Sequence, residues 1–156
     1  KLCPPTANQT MLIDGTTLIR RVISKNASNA EYRNALVDTL INLHKVRAQY
    51  YGKYKVTALN NMALDMANYY KSTPAQLHAG LTEVINENKE QTRPSILLID
   101  LNAAVQLYQN SELQADDIIN IYKRQFHINL CKFWLSVCTQ IFITEAASNL
   151  KITIIS

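Results

Sequence analysis

A chain of 156 residues, 47% apolar and 18% charged, is long enough to close one hydrophobic core and too balanced to be a disordered tail or a coiled-coil rod. Its net charge of +4 and pI near 9.0 favour solubility, but fall short of the dense basic stripe that nucleic-acid binding requires. No apolar run reaches the ~18–20 residues of a bilayer span; the longest candidate, Phe133 to Thr144, is interrupted by Ser136, Thr139 and Gln140.

Breaker residues are scarce: three glycines (Gly15, Gly52, Gly80) and four prolines (Pro4, Pro5, Pro74, Pro94). Sheets need glycine-bearing reversals between strands. Without them, long periodic runs predict an all-α protein, a single-domain helical bundle of five to six helices over residues 1–156.

Residues 1–10, with Pro4-Pro5, read as an extended arm. Asp14 to Thr17 would start a short helix with Leu18, Ile19, Val22 and Ile23 inside and Arg20, Arg21 and Lys25 outside. Ser28 and Glu31 have capping-box spacing, and the helix they open carries a stripe of Tyr32, Leu36, Leu40 and Leu43, widened by Val37 and Ile41. Periodicity resumes beyond Gly52 with Val56, Leu59, Met62, Ala63 and Met66, which favours a continuous or kinked helix there. Thr73-Pro74-Ala75-Gln76 is a strong start signal for a helix containing Leu77, Leu81, Val84 and Ile85. Thr92 to Ser95 starts another, with Ile96, Leu97, Ile99, Leu101, Val105 and Leu107, ended by Asn110 and Ser111. Asp116 and Asp117 suit the first turn of the last helix, where carboxylates meet the positive end of the dipole. From Ile118 to Ile143 that helix is apolar on nearly every face, which predicts a central position in the bundle.

Three cysteines bear on compartment. Cys131 and Cys138 would lie ~10 Å apart along one helix, too far to bridge, so a disulfide would join Cys3 to one of them. With Lys1 in place of an initiator Met, this suggests a secreted or periplasmic mature form whose signal peptide has been removed. The sequons at Asn8 and Asn26 match chance expectation.

Catalytic signatures are sparse. His127, Cys131 and Cys138 share a helical stripe, but Cys138 is two turns too far to join a metal site with His127. The carboxylates Glu112, Asp116 and Asp117, and Glu83, Glu87 and Glu90, read as solvated helix ends and faces. No phosphate-cradling glycine loop or nucleophile elbow exists. Neither a cofactor nor a metal is expected.

The sharpest charge feature is the acid-free stretch from Thr39 to Leu64. Lys45, Arg47, Lys53 and Lys55 interleave there with Tyr50, Tyr51 and Tyr54, a composition suited to a protein-binding surface of aromatic anchors. The expected function is therefore a non-enzymatic one, exerted through contact with a protein partner or a second copy. The competing expectation is a carrier of a small apolar ligand, with Met11, Met62, Met66, Phe126, Phe133 and Trp134 around a chamber in the bundle.

Overall fold

The computed structural model describes Pro4 and residues 8–128, and among these six α-helices form and no strand does. They are α1 (Gln9–Lys25), α2 (Ala30–Tyr50), α3 (Lys55–Tyr69), α4 (Pro74–Asn88), α5 (Pro94–Gln109) and α6, of which residues 115–128 are described. Each helix runs back along its predecessor: Gly15 meets Leu43, His44 meets Asp65, Gly80 meets Met66, and Asp100 meets both His78 and Gln125.

The core sits between α2, α3, α4 and α5. Leu40, Met62, Leu81, Val84 and Ile96 are fully enclosed, with Val37, Ile85 and Leu97 almost so. At about 25 cal/mol per Å² of apolar surface removed from water, these side chains supply the main drive to fold. The predicted apolar faces of α3 and α4 are the buried ones: Leu59, Met62, Ala63 and Met66 against Leu77, Leu81, Val84 and Ile85. Gly80 permits the closest approach, because a β-carbon there would stand 2.7 Å from Met66 Sδ.

Helix ends show which start signals operate. Asn8 caps α1 by accepting the Thr10 N–H at 2.8 Å, so the helix begins at Gln9 and takes in the end of the expected 1–10 arm. Asn29, rather than Ser28, caps α2, accepting the Tyr32 N–H at 3.1 Å. Both sequon asparagines are structural: Asn26 closes α1 with its amide donating to the Val22 carbonyl. Pro74 and Pro94 each open a helix, as expected. Asp117 accepts the Gln114 N–H at 3.1 Å, the first-turn role read from sequence.

Gly52 differs from expectation. α2 ends at Tyr50, a short 3₁₀ turn covers Gly52–Tyr54, and α3 returns alongside α2. The apolar faces on either side of Gly52 bury against each other, which a straight helix would forbid. Among the described residues two reversals use a left-handed backbone, and neither has glycine: Lys89 at φ 46° and Ser111 at φ 62°. Ser111 closes α5 with the paired bonds of a Schellman turn, its own N–H to Tyr108 O and the Glu112 N–H to Leu107 O. Glycine removes the β-carbon clash of that conformation. Lys89→Gly and Ser111→Gly should each raise unfolding free energy by about 0.5–1 kcal/mol, read from urea midpoints.

Two other expectations change. Leu18 is 62% exposed while Arg20 turns inward, because α1 buries Leu12, Thr16 and Ile23. The described part of the last helix is peripheral to the described core: α6 lies along α5, with Ile119, Tyr122 and Phe126 about half exposed. The expected continuation of the helix to Ile143 falls in residues 129–156, which lie outside the described residues, as do Cys3, Cys131, Cys138, Phe133 and Trp134.

Candidate functional sites

The acid-free basic segment acquires acids from another helix. Lys45 Nζ pairs with Glu83 at 3.1 Å and Lys55 Nζ with Glu87 at 2.7 Å, both glutamates coming from α4. The Lys55 hydrogen bond and charge draw the Glu87 carboxyl below its usual range. Arg47 is buried, and the Gln9 side-chain oxygen, turned toward it, accepts from Nη2 at 2.7 Å and Nε at 3.0 Å. Its guanidinium also lies 5.8 Å from the Tyr54 ring centre, with Lys53 Nζ at the same distance. Tyr50 and Tyr54 are exposed, while Tyr51 is partly covered at the end of α2. Of the seven residues, the structure thus uses Arg47 to join α1 to α2 and pairs Lys45 and Lys55 with α4.

A second group of polar residues is structural. Asp65 accepts a two-pronged bond from Arg20, Nε at 2.9 Å and Nη2 at 2.8 Å, and a third from His44 Nε2 at 2.8 Å. The three side chains join α1, α2 and α3, with His44 and Asp65 buried and Arg20 partly exposed. Burial pushes the Asp65 carboxyl up, but the bonds and charges of His44 and Arg20 outweigh it and hold the group below its ordinary range. The bond to Asp65 in turn raises Arg20. His44 Nδ1 is buried without a partner.

The sequence reading missed two surface features, one on each side of α6. The first is apolar. α5 has sixteen residues and one charge, Asp100, which is fully buried. Its outer surface exposes Leu98, Val105 and Tyr108, and Leu101 is half-buried. Beside it, α6 exposes Ile119, Tyr122 and Phe126, with the two rings stacked at 6.0 Å. Leu97, Leu98, Leu101, Tyr122, Gln125 and Phe126 line a groove of about 240 Å³ between the helices. Spacings of three and four residues in both helices carried this signal, but it was read as an inward face.

The second is polar. Asp100 accepts from His78 Nδ1 and from Gln125 Nε2, each at 2.7 Å, and Arg124 Nη2 approaches to 3.9 Å. His78 and Arg124 line a cleft of about 330 Å³ with Leu113, Asp117, Asn120 and Ile121.

For the carrier reading, Met62 and Met66 are packed into the core, whereas Met11 and Phe126 are about half exposed. Among the described residues, no group of three His, Cys, Asp or Glu side chains is arranged to hold a metal ion, and no helix is long and apolar enough to cross a membrane. No protein-family model, curated protein or solved structure matches the chain.

Proposed function

We propose that this protein is a non-enzymatic interaction module whose contact surface is the apolar face of α5 and α6, and that a second copy of the chain occupies it. The supporting observation is the charge-free outer surface of α5 beside the exposed stripe Ile119, Tyr122 and Phe126. Contiguous exposed apolar surface of this kind is costly in water and typical of contact sites. The charge-free outer surface of α5 suits symmetric pairing, where each group meets its own kind and like charges would repel, while on α6 Asp116 and Lys123 flank the apolar stripe. The basic tyrosine segment fits less well, because its lysines at 45 and 55 already have acidic neighbours. An exported location belongs to this reading and rests on the cysteines of the sequence alone.

Sedimentation velocity of the full chain tests it. The wild type should form dimers at micromolar concentration, whereas Leu98→Glu and Phe126→Glu should sediment as monomers. Both positions are more than half exposed, so unfolding free energy should change by less than about 1 kcal/mol. A monomeric wild type that the two substitutions leave unchanged would refute the reading.

A further inference from the structure

The cleft between α4 and α6 brings together groups that the interaction surface does not use. At about 100° per residue, Asp117, Asn120, Ile121 and Arg124 share one face of α6, opposite to Ile119, Tyr122 and Phe126. Their charges are under-used. Arg124 makes one loose ion pair, 3.9 Å to Asp100, and its Nε is buried with no hydrogen-bond partner. Asp117 carries only the cap on Gln114. The two lie two turns apart along the same cleft without pairing to each other.

His78 completes the set. A carboxylate can only accept, so Nδ1 must hold the proton in the 2.7 Å bond to Asp100. Asp100, fully buried and held by Gln125, fixes the ring's orientation and leaves Nε2 as the ring nitrogen that Asp100 does not engage. The cleft thus offers a cation and an anion two turns apart along α6, the His78 ring, the Asn120 amide, and aliphatic walls from Leu113 and Ile121.

We propose that this cleft binds a small zwitterion, an α-amino acid with an aliphatic side chain. Its carboxylate meets Arg124, its ammonium group meets Asp117, and its side chain lies on Leu113 and Ile121. A simple anion would gain Arg124 but face Asp117, and a simple cation would meet the reverse conflict. Only a ligand with both charges satisfies both ends.

Isothermal titration calorimetry on the full chain distinguishes these cases, with L-leucine as the probe. Leucinamide, which lacks the carboxylate, and 4-methylpentanoate, which lacks the amine, serve as controls. L-Leucine should bind saturably, and each control at least about tenfold more weakly. Arg124→Gln and Asp117→Asn should each weaken L-leucine by a similar factor, the asparagine retaining an oxygen to cap Gln114. No saturable heat with L-leucine up to about 10 mM would overturn the proposal. So would 4-methylpentanoate binding as tightly as L-leucine, since that marks an anion site. The controls act on the wild-type protein, so the test stands even if a variant is unstable.

Discussion

Asp65→Ala should cost about 3–5 kcal/mol of unfolding free energy, a large share of the roughly 5–15 kcal/mol that holds a typical domain together. His44 would lose its only hydrogen-bonded ring nitrogen where water reaches poorly, and Arg20, partly exposed, would lose both prongs of its bond. Most of the loss comes from the groups left behind, so it should shrink when they are removed too. The triple variant Arg20→Met, His44→Leu, Asp65→Leu should recover most of the stability, because buried ionic clusters are often replaceable by apolar side chains of similar volume. Urea titrations of the single and triple variants check this. A single variant within about 1 kcal/mol of wild type would show that the cluster is not under tension from burial.

Acid should weaken the same tie. Asp65 titrates lower in the folded protein than in the unfolded chain, so the unfolded state takes up a proton first as pH falls. The stabilisation is complete above the unfolded value of about 3.9 and disappears as pH drops through the folded one. The wild type should therefore lose more stability than the triple variant between about pH 4 and 2.

The fold was legible where one physical rule dominates. In α3 and α4 the apolar residues recur with the helical period, so periodicity identifies the apolar part of the buried faces, though not Asn60, Asp65 and Asn88, which are buried among them. In α2 the same rule extends beyond the apolar residues. Continuing the stripe from Val37, Leu40 and Ile41 arrives at His44 and Arg47, both buried, yet their charge-bearing chemistry invited an outward reading. A polar residue on an apolar stripe is a sign of a partner elsewhere in the chain, and here the partners are Asp65 and Gln9. Gly52 was ambiguous for a different reason. The helical pattern continues through it in phase, and only the burial of one side of α2 against α3 makes the reversal favourable.

Site legibility failed through distance along the chain. An acid-free stretch from Thr39 to Leu64 is a fact of local composition, whereas Glu83 and Glu87 reach it from α4 after the chain has turned back. The α5–α6 face failed the other way. Leu98, Leu101 and Val105 have the spacing of core residues, and spacing cannot say whether the apolar side of a helix faces its own bundle or another molecule. The placement of Asp100 resolves this for α5. A carboxylate with His78 and Gln125 on its two oxygens fixes which side of the helix faces inward, and Leu98 and Val105 follow on the outside.

That same carboxylate is the principal polar tie between α6 and the rest of the described bundle, and Asp100→Ala should cost about 3 kcal/mol. His78 is partly exposed and can turn to water for its Nδ1–H, but Gln125 is buried and would keep an unsatisfied amide. Asp100→Asn should be milder, about 1–2 kcal/mol. Its oxygen can still accept from His78, and a half-turn of the Gln125 amide presents an oxygen to the new NH₂ group. Hydrogen exchange separates this account from a general loss of stability. Amides of residues 115–128 should lose protection in Asp100→Ala before those of α2 and α3, because α6 gives up its buried anchor while the Leu40–Met62–Leu81 core is untouched. Uniform loss of protection across all six helices would instead mean that α6 is bound to the core by its apolar contacts, with the carboxylate only orienting it.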